Sequence, residues 1–267
     1  MVVARMLTKQ VARAFNDAGA DYAATGALFL PHFAELLVDR AALQPGQRIV
    51  DVAAGPGTVA LRAAPQVAPG GEVVGVDVAE AQLRLARGAA AETAGKIRFV
   101  QADAARLDFA DHSVDTVLCG FGLPYIEEPV QVVREAARIL RPEGRLLATV
   151  WASPFLAPLG ERLQATLERF EAPLVHRPFG EAPAPVAQWL LRAEFDEIEI
   201  EDHTLEVTLP TFDAWWRLAR AFAFLLRFDG VAAEKREAIL AAHREDLAAL
   251  SDGLTMDVRV YLVRGRR

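Results

Sequence analysis

Three carboxylates stand at the ends of short apolar runs. Asp51 lies inside RIVDVA (Arg48–Ala53), Asp77 closes EVVGVD (Glu72–Asp77) and Asp103 closes KIRFVQAD (Lys96–Asp103). Brief, continuous apolar runs between turn signals read as buried strands. After the first run, Gly55-Pro56-Gly57 forms a turn that leads into a helical stretch. Glycines let the backbone approach a ligand closely, and a helix N-terminus offers N–H donors without partners. Asp77, at the end of the second run, is placed to accept both hydroxyls of a ribose.

Two ligands suit this pattern. Gly55, Gly57 and Ala60 satisfy G-x-G-x-x-G/A, so an NAD(P)-dependent oxidoreductase is a rival reading. Asp51 argues against it. A carboxylate four residues before the first glycine would repel a pyrophosphate, whereas it favours a ligand carrying an ammonium group. S-adenosylmethionine has an ammonium, a ribose and an adenine, and no phosphate. Asp103 is then placed to accept a hydrogen bond from the adenine amino group.

The elements that must position these groups alternate in type. Helical spacing over 27–43 precedes the first strand. Helices are predicted over 57–68, Ala79–Ala94 and Glu127–Leu140, and further strands over Ser113–Gly120 and Arg145–Trp151. Alternation of this kind over about 100 residues predicts an α/β fold with a doubly wound, mainly parallel, seven-stranded sheet. The last third differs. Helices are expected at Leu156–Phe170, Pro185–Ala193, Thr211–Phe228 and Val231–Leu250. Strands are expected at Phe195–Val207 and Leu254–Val263, paired antiparallel at one sheet edge. This divides the chain into N-terminal helices covering the site (1–46), a cofactor-binding core (47–151), and a helical cap with the last two strands (152–267). The Pro-rich stretch Glu171–Pro185 interrupts any helix or central strand.

The chain has 267 residues, 29 Lys plus Arg against 36 Asp plus Glu, and a net charge of −7. That balance argues against a chain-wide nucleic-acid surface. Its single cysteine, Cys119, rules out an intrachain disulfide and a Cys-based zinc site. No metal is expected. No apolar run approaches the ~18 residues of a membrane span, and no secretory signal opens the chain. A cytoplasmic protein is expected, and a homodimer stays open.

The segments AFNDAGADYAATG (Ala14–Gly26), IVDVAAGPGTVA (Ile49–Ala60), VVGVDVAEAQLRLAR (Val73–Arg87), FVQADAARLDFADHSVDTVLCGFGL (Phe99–Leu123) and ILRPEGRLLATVW (Ile139–Trp151) follow in order. Together they resemble the class I S-adenosylmethionine-dependent methyltransferases related to ubiquinone/menaquinone biosynthesis, the type-11 group. The resemblance implies S-adenosyl-L-methionine as cofactor and roles residue by residue. Asp51, Ala53, Gly55 and Gly57 surround the methionine part. Asp77 takes the ribose, with Val78 and Gln82 beside the adenosine. Asp103 and Ala104 take the adenine, Gly120 and Phe121 close the site near the sulfonium, and Tyr22 covers the methionine end. The chain departs from the family at Ala53 and Pro56 in the loop. After the fourth strand it reads GFGLPYIEE, where many members show a His.

Methyl transfer to an O, N or C atom of a small hydrophobic metabolite is the expected function, in secondary metabolism. Tyr22, Phe29, Phe121, Tyr125 and His176 are the expected substrate wall, and Tyr125 and His176 the candidate bases. A non-methylating, cofactor-binding protein of the same fold is a second rival. The sequence also marks bland residues. Asp115 reads as a structural residue at the start of a strand, His112 as solvated, His32 as packed or partly exposed, His203 as structural and Cys119 as buried and inert.

Overall fold

The structure is a computed structural model. It describes residues 12–13, 15–17, 23–26, 28–154, 156–172, 184–221, 231–250 and 253–267. Among them the order is α1 (Leu30–Ala41), β1 (Arg48–Val52), α2 (Ala60–Val67), β2 (Glu72–Asp77), α3 (Glu80–Ala90), β3 (Lys96–Gln101) and β4 (Val114–Gly120). A short 3₁₀ turn (Leu123–Tyr125), α4 (Pro129–Ile139), β5 (Leu140–Trp151), α5 (Leu159–Arg169) and α6 (Ala184–Arg192) follow. The chain closes with β6 (Asp196–Leu209), α7 (Phe212–Ala221), α8 (Ala233–Ala248) and β7 (Leu254–Arg266).

The seven strands form one sheet in the order β3-β2-β1-β4-β5-β7-β6. β1 to β5 are parallel, while β7 runs antiparallel to both β5 and β6. β1 and β2 are interior strands covered on both faces, so between their charged first residues, Arg48 and Glu72, and the carboxylates Asp51 and Asp77 they are apolar. On one face, Leu37 of α1, Ala63 of α2 and Leu83 of α3 pack on Ile49, Val73, Leu118 and Leu147. On the other, Val133 of α4 and Leu190 of α6 pack on Val50, Val117, Ala148 and Val263. The order reverses between β1 and β4, and a crevice opens there beyond the strand ends.

The cap is a third core. Leu163 of α5, Trp215 of α7 and Ile239 of α8 pack with Phe29 and Phe33 on Met256, Val258 and Val260 of β7. Met256, Val258 and Val260 alternate along β7, so they share the face the cap covers. One element differs from expectation. β5 starts at Leu140, directly after α4, instead of at Arg145. Leu140 already pairs with Val114, and the register shifts before Arg145 pairs with Thr116. RPEG is thus a bulge within a strand; Glu143 adopts φ 67°, and a Cβ on Gly144 would press on its neighbours.

Candidate functional site

Each carboxylate sits where its strand ends, and each has a distinct environment. Asp51 is 1% exposed. Its Oδ2 accepts the Ala60 N–H at 3.0 Å, which caps the first turn of α2. Its Oδ1 finds no partner among the described residues. Burial pushes its pKa up to about 8; the Ala60 N–H works against this, and the nearby Asp77 adds to it. Asp77 Oδ2 accepts the Gly55 N–H and Oδ1 the Ala79 N–H, each at 2.8 Å. Burial raises the Asp77 pKa, and backbone N–H groups of Ala79, Gly55 and Val78 oppose the rise. Asp77 therefore pins the glycine loop to the end of β2, and each oxygen keeps a second lone pair for a ligand. Asp103 is exposed, and its Oδ1 accepts the Ala105 N–H at 2.9 Å in an Asx turn.

The glycines divide the work. Gly55, at φ 53°, has open space where a side chain would be. Gly57, at φ 86°, does not: a Cβ there would meet the Phe99 ring at 2.8 Å. A Cβ on Gly75 of β2 would meet the same ring at 2.5 Å. Phe99 is thus a wedge under the loop, and Gly57 is required by packing as well as by its backbone angle.

Phe121 follows β4 with φ 64°, a conformation that costs a non-glycine residue of order 1–3 kcal/mol. Its neighbours hold it there. The ring stacks on Trp151 with centroids 4.1 Å apart and meets Phe33 edge-on at 5.8 Å. Its N–H donates to the Thr149 carbonyl at 2.9 Å. Asp51, Ala53, Gly55, Gly120 and Phe121 line one cleft of about 40 Å³, walled by Leu30 and Ala34 of α1.

Among the described residues, the remaining predicted ones do not line this cleft. Val78 follows Asp77, and its carbonyl accepts from Gln101 at 3.0 Å. Gln82 is buried on α3 and donates to the Phe15 carbonyl at 2.8 Å. The Phe15 ring meets Tyr125 edge-on at 5.4 Å, and Asn16 Oδ1 accepts the Ala81 N–H at 2.9 Å. Residues 15–16 thus bridge α3 to the loop after β4. Ala104 is buried in the core below Asp103. Phe29 is fully buried, edge-on to Trp151 at 5.8 Å, and forms cap core instead of an open wall. Tyr22 and His176 lie outside the described residues, as do the last residues of the predicted helix ending at Phe228.

The bland readings can be placed as well. Asp115 accepts the Arg48 N–H at 2.7 Å and pairs with Arg141. His203 contacts Glu201 at 3.0 Å, and His32 meets Phe33 edge-on. His112 is more engaged than expected: its Nδ1 lies 2.9 Å from the Leu140 carbonyl. Burial, with Asp51 nearby, pushes the Cys119 thiol up to about 12, so it stays protonated. Sequence reasoning missed His243 and Thr149. His243 is fully buried and accepts the Trp215 indole N–H at 2.8 Å. Burial lowers its pKa to about 4. A His within the charged stretch AAHRED carries no apolar pattern to signal this.

These features define a doubly wound nucleoside-binding fold whose site presents carboxylates where a dinucleotide would place phosphates. A family profile described as a methyltransferase domain matches residues 49–144. Nocamycin O-methyltransferase of Saccharothrix syringae is 32% identical over 271 aligned residues, covering 94% of this chain and 96% of the relative. The ubiquinone/menaquinone biosynthesis C-methyltransferase UbiE of Ectopseudomonas mendocina is 35% identical over 119 residues. That match spans 44% of this chain and 46% of the relative. Among solved structures, the YcgJ protein of Bacillus subtilis superposes with a TM-score of 0.62 at 20% identity, covering 88% of this chain and 98% of that one. The chain belongs to the class I S-adenosylmethionine-dependent methyltransferases, and the oxidoreductase reading is set aside.

The residues fit that cofactor on the structure's own terms. Asp51 Oδ1 is a buried acceptor without a donor, beside a second carboxylate that repels it. A cation placed in the cleft removes both deficits. No helix among the described residues is long and apolar enough to cross a membrane.

Proposed function

We propose that this enzyme methylates a hydroxyl oxygen of a small, largely apolar metabolite of secondary metabolism. The supporting observation is where the similarity runs. The likeness to UbiE covers less than half of each chain, whereas the likeness to the O-methyltransferase covers almost all of both, cap included. Atom choice depends on how the substrate is held, and the cap is the part the cofactor core does not supply.

The cofactor supplies an activated methyl on a sulfonium, with a neutral thioether as leaving group. The chain supplies placement. Asp51 faces the ammonium, Asp77 the ribose and Asp103 the adenine. Phe121, fixed by Trp151 and Phe33, presents its ring beside Gly120, where a cation–π contact steadies positive charge. Holding nucleophile and methyl in line accounts for most of the acceleration. Tyr125 and His176 are the groups proposed to take the hydroxyl proton, and the protein works in the cytoplasm.

The test is incubation with methyl-labelled S-adenosylmethionine and a panel of phenols, enols and aliphatic alcohols, with products read by mass spectrometry and NMR. Label on oxygen supports the reading. Label on carbon or nitrogen refutes it.

A further inference from the structure

The cleft floor carries a second buried oxygen without a partner. Thr149 is 1% exposed, and its Oγ1, like Asp51 Oδ1, finds no partner among the described residues. Thr149 pairs with Gly120 on β4, and Asp51 pairs with Leu118 on the same strand. All four residues share one face of the sheet, because side chains alternate along strands. The two oxygens therefore flank Gly120, whose missing side chain leaves the lane between them open. A Cβ there would meet Val59 at 2.8 Å.

The two positions are well separated: strands lie about 4.8 Å apart and Thr149 is offset by two residues along them from Asp51, so the two Cα atoms are about 12 Å apart. The chemistry of the two ends decides what joins them. An ionised Asp51 only accepts, and a threonine hydroxyl also donates. Thr116 has an unpartnered, fully buried hydroxyl on the same face, but it does not line the cleft. What sets Thr149 apart is its place in the cleft, across Gly120 from Asp51.

We propose that Thr149 is a specificity-determining residue that donates its hydroxyl proton to the carboxylate of the cofactor's amino-acid end, while Asp51 takes the ammonium. This rests on the cofactor reading above. It assigns a role to a strand residue that the motif pattern leaves unassigned.

The test compares calorimetric binding of S-adenosylmethionine with that of decarboxylated S-adenosylmethionine, which keeps the sulfonium and the amine. Thr149→Val keeps the shape and removes the hydroxyl. It should weaken S-adenosylmethionine about tenfold or more, as expected for a hydrogen bond to a charged group. The decarboxylated compound should stay within about twofold of wild type. Thr149→Ser should restore binding of the first compound. Thr149→Ala serves in place of the valine variant if valine disturbs β5. Equal losses for both compounds, no loss for either, or a loss confined to substrate KM overturns the proposal. Failure of the wild type to bind S-adenosylmethionine at all would instead sink the cofactor reading.

Discussion

Asp51→Asn should uncouple the stability of the empty protein from pH, and the size of the effect follows from the site. Burial moves the Asp51 pKa from 3.8 to about 8. A carboxyl whose pKa rises on folding contributes stability that is fully present below the unfolded value and is lost as pH climbs toward the folded one. The window here is therefore pH 4 to 8. At pH 7 the folded protein keeps Asp51 about 90% protonated. Holding that proton 3.2 units above the unfolded pKa costs about 4 kcal/mol; at pH 4 the cost is nearly nil. Groups remote from Asp51 titrate alike in both proteins and cancel. Asparagine keeps an acceptor for the Ala60 N–H, and its stranded NH₂ adds a penalty that does not vary with pH. Urea denaturation at half-unit steps from pH 4.5 to 7.5 should thus show the variant gaining on wild type by roughly 2–4 kcal/mol. Ligand binding supplies a second reading. A cation beside Asp51 lowers its pKa, so S-adenosylhomocysteine binding at pH 7 should release close to one proton from wild type and none from this group in the variant. Calorimetry in buffers of different ionisation enthalpy measures that release. Parallel stability profiles for the two proteins would refute the reasoning.

Three more perturbations test other parts of the site and cap. Asp77→Ala should weaken S-adenosylhomocysteine binding by about 1.5–3 kcal/mol. It should also lower Tm, because the Gly55 and Ala79 N–H groups lose their acceptor; calorimetry and thermal melts report both. Gly57→Ala, in a chemical-denaturation series, should destabilise by more than about 1 kcal/mol, and pairing it with Phe99→Leu should recover part of the loss as the ring clash is relieved. His243 stays neutral in the folded cap, with its pKa lowered by burial to about 4. The stability it permits is fully present above the unfolded value of 6.5 and is lost as pH falls toward 4. Tryptophan fluorescence should therefore show cap loosening over that window, and His243→Gln should flatten it.

The cofactor half of the molecule was legible because its chemistry sits at strand ends, and the strands announce themselves. An apolar run that stops at an aspartate gives both the element and the residue, as at Asp77 and Asp103. The dual use of those residues was less visible. Asp77 holds the glycine loop through the Gly55 N–H, and Gly57 makes room for Phe99; both depend on a neighbour brought in from elsewhere in the chain. Thr149 was hidden for a related reason. Within RLLATVW a threonine is an ordinary strand residue, and only its register opposite Gly120 exposes a cleft. The cap was read as helices without partners. Its core, from Phe29 to Trp215, forms through contacts far apart in sequence, which periodicity does not report.

The stack of Phe121 on Trp151 also marks a seam. Phe121 lines the cofactor cleft, while Trp151, on the last residue of β5, belongs to the cap core with Phe29 and Leu163. At this point the part that holds the methyl donor touches the part that would choose the acceptor. β7 continues the seam, since it pairs with β5 and carries the cap on Met256, Val258 and Val260. A cap from another member should graft after β5 wherever the incoming sequence supplies apolar residues to meet the recipient's Phe121 and Trp151. Substrate range would then follow the cap, with the affinity for the methyl donor carried over intact.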